Sequence, residues 1–402
     1  MAITNNEEGV WSIDKVFAKQ NQGSIWDYET SERAMWSWGH NGYGQLGVND
    51  TVRRSSPIQI PGTTWKMVYA HGEGVGATRN DGTFWVWGRN SNNQGLGIEA
   101  TGNRSSPVQL PGTNWPTEPG KGTFGGMHSA VIKTDGSLWT FGFNSNGRLG
   151  HNQANTSYSS PKQVGSDTNW KTVSITYEAT FATKTDGTAW SWGWNNNGNA
   201  SGILGQDNTT SYSSPRQIGS DTTWSHMQGS GNLVIATKTD NTLWSWGSNS
   251  YGKLGLSQNS TNVFLSSPEQ IEAGDGGIWD TAADSIQVSS RNSAGAIRTD
   301  GTLWTWGRND YGQLGHNNRI DRSAPRQVPG TWDHFSKRHD CVFGIRDDKS
   351  VWVWGRNHQG QLAQNDNNHR SSPVQLHGSD LQSGTFSRIV STKDGGIVIK
   401  DF

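Results

Sequence analysis

The sequence predicts an all-β fold, a seven-bladed β-propeller, and three observations carry that expectation. The first is a repeat. Trp-x-Trp-Gly or a close variant occurs seven times, its second aromatic at Trp38, Trp87, Phe141, Trp192, Trp246, Trp306 and Trp354, so successive copies lie 48 to 60 residues apart. A period of roughly 50 residues with strand-like content marks propellers and solenoids. The second is a hairpin signal, Asp-Gly between extended runs, at Asp81-Gly82, Asp135-Gly136, Asp186-Gly187 and Asp300-Gly301, with Asp240-Asn241 and Asp348-Lys349 as departures. The third is composition: 402 residues that are only 31% hydrophobic yet hold 52 Gly and 22 Trp. Large rigid aromatics must then do the burying, and an array whose units pack on their neighbours needs no single large core.

Each element of the repeat has a physical reading. In Trp-x-Trp the rings share one face of a strand, because strand side chains alternate. The following Gly releases the backbone into a turn. Asn-x-x-Gly-x-Leu-Gly comes next, as in Asn41–Gly47, Asn144–Gly150, Asn249–Gly255 and Asn309–Gly315, and reads as a compact loop held by side-chain-to-backbone hydrogen bonds. Ser-Ser-Pro-x-Gln then recurs, with Pro57, Pro107, Pro161, Pro215, Pro268 and Pro373, and Ser323-Ala324-Pro325 as its variant. Proline donates nothing to a ladder, so it belongs at an edge or a strand start. An aromatic follows a few residues later, at Trp65, Trp115, Trp170, Trp224, Trp279, Trp332 and Phe386. The unit is four short strands, the content of a propeller blade.

Trp-x-Trp-Gly-x-Asn-x-x-Gly-Gln-Leu-Gly, then Pro-x-Gln, then an extended stretch ending in Asp-Gly, resembles the RCC1 (regulator of chromosome condensation) repeat. Phe124–Gly136 matches that repeat's Gly-Gly-x-His-Ser end best. The resemblance covers Ala34 to Phe402 and implies a seven-bladed propeller. It implies no particular activity, because the family spans exchange factors, inhibitors and scaffolds.

The termini are complementary. No Asp-Gly hairpin precedes Trp36, and no Trp-x-Trp-Gly follows Asp394-Gly395. The closing blade is therefore expected to set Ile389–Thr392 and Ile397–Lys400 beside Trp36–Trp38, removing the open edge of a linear array. Two domains follow: residues 1–31 as an N-terminal extension and 32–402 as the propeller.

Composition excludes several classes of function. With 33 basic and 34 acidic residues and no basic tail, the chain lacks the clustered cations of a nucleic-acid binder. The single Cys341 forms no intrachain disulfide. Residues 1–8 show no signal peptide, and no apolar run is long enough to insert in a membrane. Gly247–Lys253 fits Gly-x4-Gly-Lys of a phosphate loop, but Leu254 stands where a hydroxyl is needed and the segment aligns with the repeat loop. His334, His339 and Cys341 lie close in sequence, with His339 and Cys341 expected on one strand face. Their spacing is not that of a zinc site. The repeated Asp of Asp-Gly is turn chemistry. No catalytic residue, cofactor site or metal site is expected, and no enzyme.

Binding is the remaining expectation. Positions that vary between repeats cluster just after the Trp-x-Trp-Gly marker and in the loop beyond it: His40, Tyr43, Arg89, Phe143, Trp194, Tyr251, Arg308, Tyr311 and Arg356. Aromatic and Arg side chains on one rim are typical of binding hot spots. Ahead of the repeats, Gly9-Val10-Trp11-Ser12-Ile13-Asp14-Lys15-Val16-Phe17, then Trp26, resembles the opening of virion proteins of marine tailed phages, including cyanophages. Val10, Ile13, Val16 and Phe17 have helix-like spacing. With Trp11 and Trp26 they form a candidate anchor to another virion protein, giving a partly helical extension. The resemblance implies a non-enzymatic virion component of tail, fibre or capsid surface, made in the host cytoplasm, with the rim loops free to meet a host-surface receptor. The alternatives are an intracellular RCC1-like protein-binding module or exchange-factor-like regulator, and a secreted inhibitor or lectin-like binder.

Overall fold

The computed structural model describes residues 32–90, 95–195, 202–258, 263–376 and 385–402. The chain divides into two units, Met1–Glu32 and Arg33–Phe402. Residues 1–31, and with them the anchor candidates Val10, Trp11, Ile13, Val16, Phe17 and Trp26 and the helical spacing read there, lie outside the described residues.

Arg33–Phe402 forms seven antiparallel four-stranded blades. Counted from the innermost strand outward, blade 1 is Trp65–Ala70, Gly74–Arg79, Phe84–Gly88 and Arg104–Leu110. Blade 2 is Gly122–Phe124, His128–Ile132, Leu138–Gly142 and Tyr158–Gln163, and blade 3 is Trp170–Ile175, Ala179–Lys184, Ala189–Gly193 and Tyr212–Gln217. Blade 4 is Trp224–Ser230, Leu233–Lys238, Leu243–Ser248 and Phe264–Ile271. Blade 5 is Ile286–Ser289, Ser293–Ile297, Thr302–Gly307 and the first half of the long strand Arg322–Arg338. That strand pairs with Thr302–Gly307 up to Thr331 and with Cys341–Arg346 from Trp332 onward. Its second half is thus the innermost strand of blade 6, which Cys341–Arg346, Val351–Gly355 and Arg370–Gln375 complete.

Blade 7 closes the ring from both ends of the chain. Its order outward is Thr385–Thr392, Gly395–Asp401, Arg33–Gly39 and Arg54–Ile60. Trp36 pairs with Val398 and Trp38 with Gly396 in unbroken register, as the complementary termini predict. Among the described residues, helix is confined to two single turns, Ser145–Gly147 and Ser250–Gly252.

The apolar core lies between blades. Seven separate clusters each join neighbours: Leu233, Ile235 and Leu243 of blade 4, for example, pack on Ile286, Val288 and Trp306 of blade 5. The two rings of each Trp-x-Trp pair have different fates. The second is fully buried in every blade, but the first (Trp36, Trp85, Trp139, Trp190, Trp244, Trp304, Trp352) is only half-buried. The half-buried ring forms one side of a cation sandwich. Arg79 lies 4.5 Å from the Trp65 centroid and 4.2 Å from that of Trp85. Lys133, Lys184, Lys238, Arg298 and Arg346 repeat the arrangement in blades 2 to 6. Such contacts contribute about 0.5–2 kcal/mol each and keep the cation's stem on apolar surface. The hairpin Asp locks the same ring: Trp139 Nε1 donates to Ser137 Oγ at 2.7 Å, and Ser137 donates to Asp135. Those bonds from Ser137 hold the Asp135 carboxyl below its ordinary range.

The loop after the marker is a latch to the next blade. In all seven blades its Asn is buried and accepts the Leu backbone N–H, through Asn41, Asn90, Asn144, Asn195, Asn249, Asn309 and Asn357. Asn90, Asn195 and Asn357 do this despite departures from the seven-residue pattern. The loop's first Gly presses on the Ser-Ser of the next outer strand: a Cβ on Gly312 would stand 2.4 Å from Ser371 Cα. The same contact at Gly360 and Ser55 carries blade 6 onto blade 7.

Candidate interaction face

One end of the ring gathers all the variable positions. In every blade the residue after the marker donates its backbone N–H to the residue that precedes the second strand. The pairs are His40 with Asp394, Arg89 with Glu73, Phe143 with Met127, Trp194 with Glu178, Ser248 with Asn232, Arg308 with Asn292 and Arg356 with Asp340, all at 2.8–2.9 Å. These bonds fix the rim and the turns around the central channel as one face. His40, Tyr43, Arg89, Phe143, Trp194, Tyr251, Arg308, Tyr311 and Arg356 all lie on it, Tyr251 exposed and the others half-buried.

The sequence does not reveal that the rim residues are paired across blade seams. Each Arg that follows a marker stacks on the loop Tyr of the preceding blade: Arg89 on Tyr43 at 4.8 Å, Arg308 on Tyr251 at 5.1 Å and Arg356 on Tyr311 at 4.9 Å. In blade 2 the buried Arg148, at the loop position of Gln45, lies 5.4 Å from the Phe143 ring of its own blade and crosses the seam by donating to the Tyr177 carbonyl at 2.5 Å. Stacking holds each guanidinium plane while leaving part of its donor edge open. Among the described residues, Trp194 and His40 take no part in such a stack; His40 instead meets Gln45 at 2.8 Å.

Around the channel mouth the turns carry charges that the repeat pattern did not flag. Glu73 accepts from Arg89 and from Lys393, each at 2.5 Å. Burial raises its carboxyl, but these two cations outweigh burial and hold it below the ordinary value. Asp394 meets His339 Nδ1 at 3.2 Å, and that contact overcomes burial to hold its pKa at about 2. Asp340, fully buried, faces Arg291 at 3.1 Å and Arg356 at 3.6 Å, yet burial still pushes it up. Asp394-Gly395, read from the sequence as the last Asp-Gly hairpin, lies in the turn between the innermost and second strands of its blade and not between the second and third as Asp81-Gly82 does. The other turns hold no repeat marker, so only their variation between blades could have drawn attention to them.

The channel below is closed by a second network. Arg388 of blade 7 donates to the Val68 carbonyl of blade 1 at 3.1 Å and, through both terminal nitrogens, to Asp284 ahead of blade 5. His334 of blade 6 lies 3.5 Å from the same carboxylate. A cavity of about 50 Å³ remains, bounded by side chains from all seven blades. The residues read as near a metal or nucleotide motif are otherwise engaged. His339 occupies the turn at φ 46°, not the strand face expected beside Cys341. A backbone forced left-handed by the tight connection explains the difference. Cys341 is buried and donates to the Arg356 carbonyl at 3.3 Å. Lys253 is buried with Nζ 2.8 Å from Asn292 Oδ1, and burial lowers it to about 8. Among the described residues, no three His, Cys, Asp or Glu side chains are placed to hold a metal ion.

The family model for the regulator of chromosome condensation (RCC1) repeat matches residues 34–74, 135–182, 240–290, 300–337 and 348–391, just over half of the sequence. The chain belongs to the RCC1 repeat family. Among curated relatives, the RCC1-repeat region resembles the ultraviolet-B receptor UVR8 of Arabidopsis thaliana, 24% identical over 316 residues, 75% of this chain and 67% of that protein. The E3 ubiquitin-protein ligase HERC2 of Homo sapiens is 25% identical over 311 residues, 74% of this chain but 6% of the ligase. The crystal structure of Prp20p from Saccharomyces cerevisiae superposes with a TM-score of 0.79 at 16% identity, covering 93% of this chain and 92% of that one. At that identity the likeness shows the RCC1 fold.

Proposed function

We propose that this RCC1-repeat propeller is a non-enzymatic binding protein that meets a protein partner through the channel-mouth face. The observation that carries the reading is the set of seam-crossing Arg–Tyr stacks, Arg89 on Tyr43, Arg308 on Tyr251 and Arg356 on Tyr311. Rigid, half-exposed Arg and Tyr side chains lose little entropy on docking and are the residue types that dominate interface energetics. The structure solved for Prp20p is described with that protein's binding to Gsp1p and histones, which supports protein partners for a propeller of this build.

The finer reading is a phage virion component, located in the particle, with residues 1–31 as its anchor and the rim turned to a host-surface receptor. Its support is sequence alone. Val10, Trp11, Ile13, Val16, Phe17 and Trp26 stand outside the repeats in an order that resembles phage virion proteins. Burying four such side chains contributes about 6–12 kcal/mol gross, before ordering costs. Two measurements separate the halves of the proposal. Deleting residues 1–30 leaves a folded propeller that is lost from assembled particles; retention at normal copy number contradicts the anchor. Replacing Tyr251 and Arg308 together by Ala removes the stack whose guanidinium pairs with the exposed Asp310 and leaves the melting temperature within about 2 °C, since surface changes cost little, but lowers binding to host cells at least tenfold. Unchanged binding contradicts the rim.

A further inference from the structure

Arg338 is a charged side chain without a counter-charge. It ends the long strand shared by blades 5 and 6, is 4% exposed and reaches across the channel mouth to blades 3 and 4. There Nη1 lies 3.3 Å from Ser230 Oγ, and the guanidinium carbon lies 5.9 Å from the Tyr177 ring centroid. Its Nε has no hydrogen-bond partner. Among the described residues, no carboxylate forms an ion pair with it. The acids whose charges reach it, Glu73 and Asp394, are already held by Arg89, Lys393 and His339. A buried cation in that state is costly unless something anionic completes it.

Farther along the channel is the cavity of about 50 Å³, whose lining includes Gln228, Ser336 and the Asp284–Arg388 pair but not Arg338 itself. Strand alternation puts these two residues on the same side as Ser230 and Arg338, one step below them. His71 and His226 also line it, His71 with no partner for Nε2 and His226 with none for either ring nitrogen. A hole of this size holds a few waters or one small polyatomic ion.

We propose that the upper channel is a carboxylate-binding site, with the Arg338 guanidinium as its anchor, Ser230 beside it and Tyr177, 43% exposed, at its entrance. The carboxylate comes either from a free small anion or from an Asp or Glu side chain inserted by a partner. The site is independent of the rim stacks, so it stands or falls separately from them.

The test is thermal unfolding of the full chain in a HEPES buffer without small anions, titrated with sodium acetate or with an acetylated, amidated Gly-Glu-Gly peptide. Wild-type protein gains a saturable 2–3 °C, about what a tenfold excess over Kd produces. Arg291→Met, at a half-buried cation on the same face that pairs with Asp340, keeps the gain. Arg338→Met loses it and, before any anion is added, melts no lower than wild type. A response to acetate alone identifies a free anion, and a response to both identifies a side chain that a partner can insert. The proposal is overturned if neither ligand acts, if Arg338→Met responds like wild type, or if that variant melts well below wild type in the starting buffer.

Discussion

Trp304 and Trp306 differ by two positions in sequence and by much more in energetic weight. Trp306 is fully buried, packs in the cluster between blades 4 and 5, and donates its indole N–H to the Lys253 carbonyl at 2.9 Å. Its replacement by Ala removes a large ring and leaves that carbonyl unpaired, at a cost of about 3–5 kcal/mol. Trp304 is half-buried, with Arg298 at 3.8 Å on one face and Thr302 on its indole N–H at 2.9 Å. Its replacement costs about 1–3 kcal/mol, because solvent already reaches the site. Urea denaturation of both variants checks the ranking; equal losses would mean that the sandwich is part of the core. The pairing of aromatics in the sequence gave their common face but not their depth. Depth depends on how far each strand position lies from the hairpin end of the blade.

The loops that latch one blade to the next share a geometry that one member fits badly. Gly47, Gly97, Gly150, Gly205, Gly255 and Gly315 all adopt φ near 70–80° at the end of the Asn-x-x-Gly-x-Leu-Gly segment. In blade 6 the same place is Ala363, at φ 54°, buried in the cluster that holds Trp38. A left-handed Ala is strained by about 1 kcal/mol. Ala363→Gly should therefore raise stability by about 0.5–1 kcal/mol, less the greater entropy of a Gly in the unfolded chain. A lower denaturation midpoint would show that the Ala methyl contributes more to packing than it costs in strain. Most of the latch was legible because Asn, Gly and Leu each have a local reason to be where they are. Asn90 and Asn195 were obscured because extra residues separate them from Leu96 and Leu204, and the hydrogen bond ignores that count.

At the scale of the ring, pH acts through buried histidines. Burial lowers His226 from an ordinary 6.5 to about 4, and lowers His151 and His316 likewise. The unfolded chain takes up protons near pH 6.5 while the folded chain refuses them until about 4. Stability is thus fully present above pH 6.5 and lost as pH falls toward 4. For the fully buried His226 the slope is about 1.4 kcal/mol per pH unit. His226→Gln should flatten the fall in denaturation free energy between pH 6.5 and 4.5, and an unchanged slope would place the titration elsewhere. The Asp284–Arg388 pair, the Arg338 crossing and these histidines were not legible in the sequence. The partners of Arg388 and Arg338 sit in other blades, on the order of 100 residues away or more, and no repeat constrains them, whereas His151 and His316 follow the same loop Gly and meet Thr140 and Thr305 of their own blades. Seven blades, four strands each, and closure by both termini were legible, since each rests on a local signal. Closure is what makes the face and its channel a single rigid object. Deleting Gly395–Phe402 removes the strand that joins Thr385–Thr392 to Arg33–Gly39, and calorimetry of that truncation tests the ring most directly. A closed ring predicts a melting temperature lower by at least about 10 °C, with every blade affected, because both new edges lose a full set of ladder bonds. A transition unchanged from that of the full chain would contradict it.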